Sequence, residues 1–167
     1  MTDDITTPAT TSDIEQIARL VKSAKIGLFT TVNTDGQLVS RPLGVQGEFD
    51  GELWFFSQDP SPKTDDIRAN PSVNVAFESS KGYLSVAGSA EVVHNDAKID
   101  EFWGAHAEAW FPEGREDPSV ALIRVVAESV ELWATEDPKP VVLLKVAAAA
   151  IRGGQPDIGE NRTVSFE

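Results

Sequence analysis

Arg41, Ser57, Ser61, Lys63 and Thr64 crowd into one short stretch of this chain. They are the residue types that hold a terminal phosphate, which near neutral pH carries almost two charges and several acceptor oxygens. Each charge-assisted hydrogen bond contributes on the order of 1.5 to 3 kcal/mol, so three or four would retain a phosphate group. The formal net charge is -13, but distant charges are screened beyond about 8 Å at physiological ionic strength, so local geometry decides the matter.

Other chemistries find less support. The absence of cysteine excludes thiolate metal sites, disulfides and a cysteine nucleophile. His94 and His106 are the only histidines and form no HExxH pattern, so no metal site is expected, and both are read as surface or satisfied core residues. The acidic pairs Asp65-Asp66 and Glu116-Asp117 fit a helix start and a solvated loop. No Walker loop, GxGxxG or GxSxG occurs, which leaves no signature of classical nucleotide folds or serine hydrolases.

The strong negative charge argues against nucleic acid or anionic lipid as partner. No segment approaches the roughly 20 apolar residues of a membrane span, and the acidic, Thr-rich N-terminus lacks signal-peptide character. A cytoplasmic location is expected. Length fits one domain, with residues 1–11 as a flexible lead-in and 12–167 as the folded unit.

The elements that must position the anion-binding types can be read from periodicity and turns. Ser12-Asp13-Ile14-Glu15 has the form of a capping box, followed by a helical stripe of Ile14, Ile17, Ala18, Val21 and Ala24. Residues 26–33, 38–45 and 52–57 read as a three-stranded meander broken by Thr34-Asp35-Gly36 and Glu48-Phe49-Asp50-Gly51. A short helix over 63–69 ends at Asn70-Pro71. Strands follow over 72–78, 83–94 and 119–133, the last with a bend. A helix is expected over 97–110, a second over 141–151 and a tail strand over 161–167. Six short strands with few helices indicate a mainly β protein with flanking helices, built as a six-stranded antiparallel barrel.

Leu38-Val39-Ser40-Arg41-Pro42-Leu43, then Leu53-Trp54-Phe55-Phe56-Ser57, Lys63, Asn70-Pro71 and the strand 73–77 resemble the pyridoxamine 5'-phosphate oxidase-like FMN-binding split barrels. Trp110-Phe111-Pro112, Val130-Glu131-Leu132-Trp133 and the tail from Ile151-Arg152-Gly153-Gly154 through Asn161-Arg162-Thr163-Val164 are similar to the general stress protein 26 branch. The likeness runs over roughly residues 12–166.

It implies a homodimer with FMN at the interface, or FAD or a deazaflavin in its place. The implied cofactor residues are Arg41, Pro42, Leu43, Phe56, Ser57, Ser61, Lys63, Thr64, Tyr83 and Trp110, with Trp110 and Phe111 covering the flavin ring from the partner subunit. Catalytic residues remain unassigned. Gln46, Pro62 and Tyr83 stand where the oxidases have lysine, arginine and glutamine. The implied function is an FMN-binding stress flavoprotein with redox activity or sensing. The alternatives are a pyridoxamine or pyridoxine 5'-phosphate oxidase-like enzyme, or a nicotinamide- or deazaflavin-dependent reductase, acting on a small molecule.

Overall fold

A computed structural model of the chain describes residues 7–134, 148–149 and 160–166. Helix α1 (Thr11–Ala24) starts earlier than the Ser12 box suggests. Thr10 is the cap: its hydroxyl accepts from the Asp13 amide at 3.2 Å, and Asp13 accepts from the Thr10 amide at 2.9 Å. A tertiary contact selects this register, because Asp13 also pairs with Arg162 at 3.0 Å. Ile17, Leu20 and Val21 bury the apolar stripe against the barrel.

The strands are β1 (Thr7–Pro8), β2 (Ile26–Val32), β3 (Leu38–Gln46), β4 (Glu52–Gln58), β5 (Ser72–Ser79), β6 (Gly82–Val93), β7 (Val120–Ala134) and β8 (Glu160–Ser165). Six of them close in the order β7-β4-β3-β2-β5-β6, with β6 pairing back onto β7. Every pairing in this ring is antiparallel. The expected six-stranded antiparallel barrel with flanking helices is therefore present. Outside it, β8 adds to β7, and β1 adds to β8 in parallel, so residues 7–8 of the N-terminal lead-in form backbone pairs.

Alternate residues fill the interior: Phe29 and Phe55 meet edge to face at 5.5 Å, among Leu53, Val75, Val86, Val125 and Val130. Closure is continuous along β6 and β7 except for a register shift at Ala87/Gly88, the bend anticipated in the long last strand of the barrel.

The expected meander is present, β2, β3 and β4 being antiparallel neighbours, but its second step is short. β2 and β3 pair from Ile26↔Gly44 to Val32↔Leu38, but β3 and β4 pair only at Val45↔Phe55 and Gln46↔Trp54. β4 instead pairs along its whole length with β7. The barrel is thus split between β3 and β4, which share only those two pairs while β4 pairs fully with β7 on its other side.

The helix expected over 97–110 is two helices, α3 (Asp96–Phe102) and α4 (Ala105–Trp110), separated by extended backbone at Trp103 and Gly104. The break lets Trp103 and Phe111 both pack on Phe56, at 5.8 and 6.0 Å, which one straight helix would not allow. Helix α2 (Pro62–Ala69) begins at Pro62, with Ser61 as its cap and proline at its first position. The helix expected over 141–151 lies outside the described residues except for 148–149, which are helical.

Candidate functional site

The split between β3 and β4 opens a cleft of about 470 Å³. Its walls are Pro42, Leu43 and Gly44 of β3, Phe56, Ser57 and Gln58 of β4, Lys63 of α2, and His106, Ala107, Trp110 and Phe111 of the α4 region. Ile26 and Gln46 complete it. A volume in the range of ~300–1,000 Å³ with apolar walls and few polar groups is the form of a small-molecule or cofactor site. Along this cleft β3 is hydrogen-bonded to β2 on one side only over residues 38–44. Every second peptide there turns its N–H and C=O away from β2, toward the split.

At one end lies the cationic corner. Ser61 caps α2, its hydroxyl lies 3.4 Å from the Thr64 amide, and the Lys63 ammonium lies 3.4 Å from the same hydroxyl. Burial holds the Lys63 pKa below the ordinary lysine range, and the neighbouring Arg41 guanidinium lowers it further. Among the described residues Lys63 makes no ion pair. A half-buried ammonium beside a second cation, with no carboxylate to compensate it, is a site that favours an anion.

Arg41 is held from behind. Its Nη1 donates to Thr31 Oγ1 at 3.0 Å, Thr31 donates to Asp66 Oδ2 at 2.9 Å, and Arg41 Nη2 lies 3.8 Å from that carboxylate. Thr31 and Asp66 are buried, so this chain of contacts fixes the direction of the guanidinium. Asp59 anchors the loop before α2, accepting from Arg68 at 2.6 Å and facing His94 Nε2 at 2.7 Å. The Arg68 hydrogen bond, outweighing burial and aided by His94, keeps the Asp59 carboxyl well below the usual carboxylate range.

The structure brings most of the residues singled out from sequence to this cleft and separates others. Pro42, Leu43, Phe56, Ser57, Lys63 and Trp110 line it, and Arg41 and Ser61 stand at its cationic end. Thr64 is buried and its hydroxyl donates to the Ser61 carbonyl at 2.9 Å, so it closes the cap and has no donor left for a ligand. Ser57 is also buried and donates to Gln58 O at 2.8 Å.

Tyr83 is exposed at the start of β6, opposite Trp133, and contributes nothing to the cleft of its own chain. Phe111 is buried on Phe56 and Trp103 and supports the cleft wall, whereas Trp110 stands 69% exposed. Of the pair expected to cover the ring, Trp110 is the exposed member.

Sequence reasoning missed His106, set aside as surface or core. It lines the cleft, with its ring 6.5 Å from that of Trp110. The only local signal was its place one helical turn before Trp110. Thr31 and Asp66 were missed because a β2 hydroxyl and an α2 carboxylate meet only in the folded barrel.

The residues 12–157 match the pyridoxamine 5'-phosphate oxidase like family profile. Protein bli-3 of Neurospora crassa is 30% identical over 125 residues, 67% of this chain and 60% of that protein. General stress protein 26 of Bacillus subtilis is 27% identical over 86 residues, 48% of this chain and 61% of that one. The chain thus spans about 60% of the length of these curated relatives.

Among solved structures, a putative general stress protein 26 from Jannaschia sp. CCS1 superposes with a TM-score of 0.76 at 25% identity, covering 94% of this chain and 100% of that one. The general stress FMN/FAD binding protein of Xanthomonas citri gives 0.67 at 25% identity, covering 77% and 93%. With a split barrel, a matching profile over most of its length and these neighbours, the chain belongs to the pyridoxamine 5'-phosphate oxidase-like family.

Proposed function

We propose that the cleft binds a flavin, best read as FMN, and that the protein is a stress-type flavoprotein with redox or sensing activity. The observation that carries this reading is the half-buried Lys63 ammonium beside Arg41 at one end of an unpaired strand edge. Lys63, Arg41 and Ser61 would hold the phosphate. The free peptide groups of β3 would meet the polar edge of a planar heterocycle, and Pro42, Leu43, Phe56 and Trp110 its apolar surface. When bound, the flavin supplies the electron chemistry, while the chain binds, orients and shields it. The name of the Xanthomonas citri neighbour, FMN/FAD binding, supports the same cofactor class.

A homodimer belongs to this reading. Tyr83 lies outside its own cleft, so any contact it makes with the cofactor has to come from a second copy. The exposed Leu28, Leu38, Tyr83, Trp110 and Trp133 offer apolar surface for that association. Oxidation of a pyridoxine-type phosphate fits less well. Gln46 and Pro62 occupy positions that are basic in the oxidases, and Lys63 and Arg41 at the cleft's cationic end would be taken up by the cofactor phosphate.

Titration of purified protein with FMN, followed by flavin fluorescence and by mass identification of the retained cofactor, tests the reading; protein that takes up no flavin would falsify it. Affinity is expected to fall as pH rises through the depressed Lys63 pKa. A bound dianion favours the ammonium, so binding takes up a proton there, and deprotonation of free Lys63 opposes it. A Lys63→Arg variant should lose this alkaline decline. Trp110→Ala should weaken FMN binding about three- to tenfold and shift the flavin absorbance, as expected for loss of one ring contact. An unchanged spectrum would remove Trp110 from the site.

A further inference from the structure

Past His106 the cleft continues into a second groove of about 450 Å³ that shares Ile26, Gly44, Gln46 and His106 with it. We infer that this groove binds a small ligand with an apolar body and one carboxylate, held beside the flavin ring. Val21, Ile26 and Val45 supply apolar wall, whereas the titratable side chains lining the groove are Lys22, Lys25 and His106. All three are basic types, in a chain of net charge -13. Lys22 is matched by Glu48 at 2.9 Å. Lys25 makes no ion pair among the described residues.

The backbone of Lys25 is the second observation. It closes α1 at φ 64°, a region that disfavours side chains and that glycine adopts freely. It is pinned there by its N–H to Val21 O and by its carbonyl accepting from Val45 N, both at 2.9 Å. A lysine is thus held, at a conformational cost, at a groove that a histidine also lines. Glycine would close the helix with less strain but would bring no charge.

The placement beside a flavin rests on the function proposed above. The carboxylate site itself does not, so the two fail separately. Benzoate and its neutral isostere benzamide would be titrated into the full chain, with and without FMN, following the amide NMR signals of residues 44–47 and 106. Benzoate is expected to bind on the order of tenfold more tightly than benzamide, the effect of one charge-assisted hydrogen bond, with shifts centred on these residues.

Lys25→Gly should abolish that preference while leaving the melting temperature equal or higher, and His106→Gln should reduce it. Lys63→Ala should leave it intact while weakening FMN. Equal binding of the two probes, or a preference that survives Lys25→Gly, overturns the inference, as does a preference lost in Lys63→Ala, which would place the anion in the phosphate corner. A chain that takes up no FMN but keeps the benzoate preference would overturn the flavin reading and leave the carboxylate site standing.

Discussion

Lys63→Ala should lower FMN affinity about tenfold, and Lys63→Glu at least about a hundredfold, while neither should change the binding of riboflavin, which has no phosphate. The first figure is the loss of one charge-assisted hydrogen bond of ~1.5 kcal/mol, and the second adds repulsion of the dianion by a half-buried carboxylate. Lys63 suits the test because the fold does not depend on its charge. Its ammonium is already disfavoured by burial, so Lys63→Met should leave the apoprotein equally or more stable.

Arg41→Ala would be less clean. Arg41 hydrogen-bonds Thr31 and stands near the buried Asp66, and its removal would weaken the barrel as well as the site. If Lys63→Ala lowered FMN and riboflavin binding equally, the phosphate would lie elsewhere.

Gly88→Ala should destabilise the fold by about 3 kcal/mol or more, the upper range for overpacking a tight contact. For a chain of this length that corresponds to a fall of roughly 6 to 12 °C in melting temperature. A β-carbon there would stand 2.2 Å from the Val126 carbonyl oxygen and 3.0 Å from its carbon. Both are backbone atoms on the facing strand, so the seam that closes the barrel would have to part at the β6–β7 register shift. Gly104→Ala is the control: it lies in extended backbone with open space around it, and should cost no more than about 1 kcal/mol. Similar melting temperatures for the two variants would contradict the closure of β6 on β7.

Much of the scaffold was legible before any coordinates. Turn chemistry at Asn33 to Gln37 is local: Asn33 Oδ1 accepts from the Asp35 and Gln37 amides at 3.0 and 2.8 Å, and Gly36 takes φ 77°, so a reader of the sequence sees the hairpin directly. The helix expected over 63–69 is likewise present, one residue longer because Pro62 opens it behind the Ser61 cap. The start of α1 was misplaced because Asp13 is set in register by Arg162, far away in sequence. The long helix over 97–110 was overread because apolar spacing does not reveal that Trp103 and Phe111 must turn onto the same Phe56.

The candidate site divides in the same way. The residue types of an anion corner, Arg41, Ser61 and Lys63, and their place at a strand and a helix start were determined by the sequence itself, because propensity, turn chemistry and charge act over a few residues. Tertiary structure alone decided that β4 pairs with β7 and leaves β3 with a free edge. It also decided that Thr64 turns inward, that Tyr83 lies outside its own cleft, and that His106 and Lys25 line one groove. Those outcomes depend on which strands close the barrel, and closure is set by burial summed over contacts from the whole chain.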